Sequence, residues 1–423
     1  MNALPNTRSY NVRFMGTLTK LGILAFVLTL NTCGPPADVP TTEDIAVTVV
    51  SATVESGAVV AVDEPHTALC SGEPSHIHCI SQTHSRLDPG LTSDLWGKQT
   101  EYYADVYCAL DLTITECERY SKALFAASDH WGNYSPVSLY AVGTDRDAAL
   151  ELVDVLCNQP SRRKNQRYKH CAELHSDAGH PEGIEYLRSV GSRAIESADA
   201  EWEGYCNCNR GWSTFEIFMS VNWGYLDEPM FGESLTDAHE HIFHEYFHVV
   251  QNSHLSSPEK WEIRKAALGP RWFHEGGATY VSLLIPRELM NSQKLDSSPL
   301  HPDTQSPFAA AMANRLKNTK RIFGACEGGL LDTGNNRKCG SGDLNAAYSG
   351  GAWAHAYLAH KHDADRLLEV LYPNLEEMGF EDAFIYTYGQ SLMDFYTEFD
   401  EFLQRPLDDQ LAILSKQEDT PPR

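Results

Sequence analysis

A chain of 423 residues, 42% of them hydrophobic and 10% aromatic, carries enough apolar material for one large core or two smaller ones, which excludes a disordered protein. Its 58 acidic residues against 33 lysines and arginines leave a formal charge of −25, which repels nucleic-acid phosphates and anionic lipid, and no basic run overrides it. Nucleic acid is excluded as a partner on this ground, and the acidity reads as a solubilising surface rather than a site for a basic substrate.

In chain order, Arg8, Arg13 and Lys20 precede an apolar run from Leu21 to Leu30. The run is too short for a permanent membrane span and has the anatomy of an export signal. Leu30-Asn31-Thr32-Cys33 resembles a bacterial lipobox, although Asn31 and Thr32 are bulkier and more polar than its usual residues. That resemblance implies a lipid anchor through Cys33 at a bacterial cell envelope. Simple secretion and a buried N-terminal helix are the alternatives.

Residues 34–66, rich in Pro, Thr, Val, Ala and acid, suit a tether. Apart from Cys33, ten cysteines remain, an even set that in an exported chain reads as disulfides. Short spacings suggest the local pairs 70–79, 108–117, 157–171 and 326–339, with Cys206 and Cys208 read as disulfide cysteines rather than a metal or redox motif. His76, His78 and His84 form a loose cluster, read as surface residues.

The spacing of Trp96, Tyr102, Tyr103, Val106, Tyr107, Leu110, Leu124 and Phe125 predicts helix from about 95 to 128. A strand is expected over 136–142, a helix over Arg146 to Leu156, and an aromatic, β-branched strand over 212–221. If that last strand forms a sheet edge, it can pair with an extended peptide. The remainder reads as mostly helical, and the chain after Pro406 as a polar end that frays.

Ser234-Leu235-Thr236-Asp237 has the form of a capping box, and 238–252 contains no Gly or Pro, so a helix is expected there. It carries His244-Glu245-Tyr246-Phe247-His248. Residues four apart on a helix share a face, so both imidazoles can reach one Zn²⁺ while Glu245 points towards a water on it. Catalytic zinc needs a third protein ligand and an open position. Trp272-Phe273-His274-Glu275-Gly276-Gly277 supplies a glutamate 27 positions after His248, on a second helix that starts near Pro270 and stops at Pro286. His274 is the rival ligand, since neighbours on a helix point about 100° apart and only one can face the metal.

HEYFH followed by WFHEGGATY resembles the gluzincin metallopeptidases, in particular the aminopeptidase N-like and peptidase MA-like branch. The resemblance spans roughly 212–404. It implies an α+β, zincin-like metallopeptidase domain: a small mixed sheet over the HExxH helix and a mostly helical C-terminal part, here stapled by disulfides. It also implies Glu275 as third ligand, Glu245 as general base, and Tyr348, within Tyr348-Ser349-Gly350-Gly351-Ala352-Trp353, as the donor to the reaction's oxyanion. Tyr280 and His355 are alternatives for that donor. The family's glycine-methionine-glutamate-asparagine signature is absent, so exopeptidase specificity does not carry over. Thr279 stands where thermolysin-like members place the aspartate that orients the first histidine.

The expected organisation is an export signal to 33, a tether over 34–66, a disulfide-containing α/β part over 67–211, a catalytic part over 212–404 and a polar tail over 405–423. The expected activity is zinc-dependent hydrolysis of peptide or protein substrates. The competing expectation is a cell-surface binding protein on the same scaffold, with structural zinc or none.

Overall fold

Alternation of side chains along three strands sets up a sheet with two buried faces. In β3 (Asp105–Ala109), β4 (Val137–Val142) and β6 (Phe215–Ser220), the residues Val106, Cys108, Leu139, Ala141, Phe215, Ile217 and Met219 enter one core, whereas Tyr107, Ala109, Tyr140, Val142 and Phe218 enter another. The computed structural model describes residues 68–69, 77–81, 98–100, 104–134, 137–159, 168–180, 183–197, 204–206, 215–220, 235–255, 266–296, 307–323, 329–332 and 343–415. All lie in one unit spanning Asp63–Arg423. The fold is mixed α+β, mostly helical, with one small mixed sheet.

The sheet is completed by β1 (Ala68–Leu69), β2 (Ile77–Ser81) and β5 (Gly204–Cys206), in the order β1-β2-β3-β4-β6-β5. The β3–β4 and β4–β6 pairs are parallel and the other pairs antiparallel. Register is held by a ladder of rings across neighbouring strands: Tyr107 stacks on Tyr140 at 5.2 Å and Tyr140 on Phe218 at 5.3 Å. His175 closes the ladder on Phe218 at 5.5 Å. The aromatic strand expected over 212–221 is present as β6, but it is interior. With β4 on one side and β5 on the other, its main chain is paired on both sides over Ile217–Met219 and is not a free sheet edge there.

On one face lies α1 (Ile114–Trp131), and on the other α2 (Arg146–Cys157), α3 (Tyr168–His175) and α4 (Ile184–Ser197). The expected helix over 95–128 is corrected here, since 105–109 is strand and the helix begins only at Ile114. Tyr103, Val106, Tyr107 and Leu110 mimic helical spacing, but a short apolar run buried on both faces is ambiguous between helix and strand. The true start is marked by a capping box: Thr113 Oγ1 accepts from the Glu116 N–H at 3.2 Å and the Glu116 carboxylate accepts from the Thr113 N–H. Two of the expected disulfides are present, Cys108–Cys117 and Cys157–Cys171. The pairs 70–79 and 326–339 involve residues outside the described set.

The helical body begins with α5 (Leu235–Ser253), which packs on α1 through Trp131 against Phe243, Tyr246 and Phe247, while the Tyr246 hydroxyl donates to the Gly132 carbonyl at 2.8 Å. Ser234, the first residue of the expected capping box, lies outside the described residues. Next, α6 (Arg271–Asn291) runs through Pro286 rather than stopping there. Its residues from Gly276 to Arg287 are all buried, between α5 and α8, and this packing outweighs the cost of about 3 kcal/mol that a proline carries inside a helix.

α7 (Phe308–Phe323) and α8 (Asp343–Lys361) follow, then a π-turn over Leu367–Leu371, α9 (Tyr372–Met378), α10 (Phe380–Tyr388) and α11 (Leu392–Leu403). After Pro406 the chain does not fray at once. It forms α12 (Leu407–Leu411) and a 3₁₀ turn, with Ile413 and Leu414 buried and the Gln410 amide donating to the Phe402 carbonyl at 2.9 Å. The apolar residues of this segment outweigh its acidic ones because they dock on the core. No helix of the described residues is long and apolar enough to cross a membrane.

Candidate metal centre

Two helices that cross at their histidine and glutamate positions build the site. On α5 the side chains at 243, 246 and 247 turn to α1, which leaves His244, His248 and Gln251, four and three residues apart, to face α6. From α6, Glu275 reaches them: its Oε2 lies 3.5 Å from His244 Nε2 and 3.3 Å from His248 Nε2. One ligand atom from each residue falls within 4.8 Å of the other two, a set that can hold one metal ion. Glu245 is buried and acts electrostatically on both His248 and Tyr348.

His274 and Glu275 are both at the site, with different jobs for their atoms. The His274 ring stacks on His248 at 4.3 Å, and its Nδ1 faces the other carboxylate oxygen, Glu275 Oε1, at 3.7 Å. Glu275 alone joins the three-residue ligand set.

Gln251, which sequence reasoning passed over, fixes the His248 ring against α6. His248 Nδ1 sits 2.7 Å from Gln251 Oε1, and since a side-chain amide oxygen only accepts, Nδ1 carries the proton and Nε2 is left as the donor atom for a metal. The Gln251 amide nitrogen donates in turn to the His274 carbonyl at 2.9 Å and the Tyr372 hydroxyl at 3.0 Å. His355 on α8 contacts the Phe273 carbonyl through Nε2 at 2.9 Å, and Thr279 donates to the Glu275 carbonyl at 2.8 Å, so both brace the α6 backbone beside the ligand.

The diglycines of α6 and α8 explain how the helices come so close. A Cβ on Gly276 would overlap the Gly351 backbone, and one on Gly351 would overlap the Trp272 carbonyl. This approach brings Tyr348 to the cluster, where its ring lies 5.7 Å from that of His244 and its hydroxyl hydrogen-bonds Glu275. Tyr280, by contrast, packs against Phe308 and His355.

Charge within the cluster is strongly redistributed. Burial opposes ionisation of Glu275, but the His248 charge and the close approach of the His244, His248 and His274 rings outweigh it and hold the carboxyl well below its usual range. Burial likewise pulls His248 down, yet the Glu275 charge and hydrogen bond, with Glu245 behind, push it up to about 9. His244 is carried by burial down to about 4 and is neutral. Burial, then Glu275 and Glu245, push Tyr348 well above its ordinary value, so it stays a hydroxyl donor. An ionised carboxylate, a neutral imidazole and a second imidazole whose proton a cation can displace form a donor set that fits a divalent metal with N and O preference.

Of the expected site residues, His244, His248, Glu275, Glu245 and Tyr348 fall in one region. His78 lies apart on β2 and Cys206 on β5; His76, His84 and Cys208 lie outside the described residues. No family model, curated protein or solved structure matches this chain.

Proposed function

We propose that the protein is an exported zinc metallopeptidase with a zincin-like catalytic part, in which His244, His248 and Glu275 hold Zn²⁺ and Glu245 is the general base. The observation that carries this reading is the convergence of those three donor atoms from two crossing helices, with a buried carboxylate, Glu245, in the residue after the first histidine. A structural zinc site closes with a fourth protein ligand, and the described residues offer a set of three. Zinc bound there supplies a Lewis acid that polarises a carbonyl and lowers the pKa of water towards about 7.

The chain's own groups do the rest. Glu245 takes the proton of the attacking water and returns it to the leaving amine. Tyr348, kept protonated, donates to the carbonyl oxygen as that atom gains charge. The two disulfides support export, since such bonds persist in oxidising compartments.

The test is metal analysis and peptide turnover of the purified protein beside Glu245→Gln and a His244→Ala/His248→Ala double variant. We expect about one zinc per chain in the first two and none in the third. Turnover should fall by about 10²–10⁴ in Glu245→Gln. Undiminished turnover in that variant would reject Glu245 as the base. A zinc ion closed by four protein ligands would favour a binding protein on the same scaffold.

A further inference from the structure

The first turn of α6 goes against two local preferences. Helix N-termini carry partial positive charge, so acidic side chains and Ser, Thr, Asp or Asn caps are favoured there. Yet α6 has Pro270 as its N-cap, no capping side chain, no acidic residue in its first turn, and Arg271 in first position. In a chain of net charge −25 this is an unusual place to leave a cation. Arg271 is exposed and has no ion-pair or hydrogen-bond partner among the described residues. A residue that breaks a local rule with no compensating contact points to a role outside folding.

Its position supplies the role. Arg271 precedes His274 and Glu275 by three and four residues and so shares their face of α6, about one turn away. Its charge acts on His274 and Tyr348, which puts it within electrostatic reach of the site. His274 adds a second open valence: with Nδ1 towards Glu275, its Nε2 is buried without a hydrogen-bond partner. The first turn of α6 therefore carries an exposed guanidinium without a counter-ion among the described residues, one turn from a buried imidazole nitrogen without a hydrogen-bond partner.

We propose that Arg271, with His274 beside it, binds a carboxylate of the substrate, so that the site selects peptides bearing one within about two residues of the bond cut. The distance follows from one helical turn, about 5.4 Å, against about 3.3–3.6 Å per extended residue. This inference rests on the peptidase reading. The carboxylate has two sources, the peptide's own C-terminus or an acidic side chain.

Both are tested by calorimetry on the zinc-loaded Glu245→Gln protein, which permits binding without turnover. The first pair of probes is N-acetyl-trialanine as free acid and as carboxamide. The second is a blocked, amidated alanine pentapeptide with central glutamate or glutamine. We expect the charged member of one pair to bind about tenfold tighter or more, with the ratio falling to about one when Arg271→Ala is added and partly returning with Arg271→Lys. A preference in the first pair assigns the C-terminal carboxylate, and one in the second an acidic side chain. No difference within either pair, or a preference that survives Arg271→Ala, overturns the proposal. If the charge preference holds while zinc-loaded wild-type protein cuts no peptide, the peptidase reading fails and the carboxylate site stands.

Discussion

A histidine binds a metal through a ring nitrogen without a proton, so the partner of its other nitrogen decides whether it is ready to do so. For His248 that partner is Gln251, whose oxygen accepts from Nδ1 while its amide is held by the His274 carbonyl and the Tyr372 hydroxyl. One buried side chain thus ties the second histidine of the motif to the backbone next to the third ligand. Gln251→Ala should lower zinc affinity by about 10–100-fold, measured by competition with a chelator, with the fold intact by circular dichroism. Unchanged affinity would mean that the ring is oriented by something else. His244, Glu245 and His248 were legible in the sequence because their spacing is a helical period, and Glu275 through the resemblance of its segment to the gluzincins. Gln251 was not, although it lies three residues after His248 on the same face. Its role depends on Tyr372, 121 positions away, and no local pattern contains that contact.

Helix spacing is the next control on the site. Gly276 and Gly351 let the backbones of α6 and α8 touch where Glu275 and Tyr348 must meet. Gly276→Ala should destabilise the protein by about 1–3 kcal/mol, seen as a lower denaturant midpoint, because the new methyl meets main chain that cannot rotate away. It should also separate Tyr348 from Glu275 and reduce turnover beyond what the stability loss explains. A variant of wild-type stability and activity would refute the close contact. Both diglycines are visible in the sequence, but not that they oppose each other. The same limit explains which elements were readable. The helix from Arg146, capped by Asp145, and the one from Arg271, after Pro270, begin at local signals. The strand over 105–109 and the passage of α6 through Pro286 depend on burial from both sides, which is a tertiary property.

At the scale of the whole molecule, the two described disulfides and the site lie on different elements. Cys108–Cys117 joins β3 to the second turn of α1, and Cys157–Cys171 joins α2 to α3. The loops they close are short, 9 and 14 residues of separation, so each bond is worth about 2–4 kcal/mol through the unfolded chain. Their four cysteines lie on β3, α1, α2 and α3, and the site residues on α5 and α6. The contact from α1 to the metal helix is made by Trp131, at the far end of α1 from Cys117. Local pairing of these cysteines was readable from spacing, whereas the separation of staples from site required the sheet order. Reduction should therefore lower the melting temperature by several degrees while protein that remains folded keeps its zinc. Thermal melts with and without reductant, paired with metal analysis at a temperature where both forms are folded, check this. Zinc lost on reduction before unfolding would show that the sheet region holds the ligand geometry, and that the helical body cannot fix the crossing of α5 and α6 by itself.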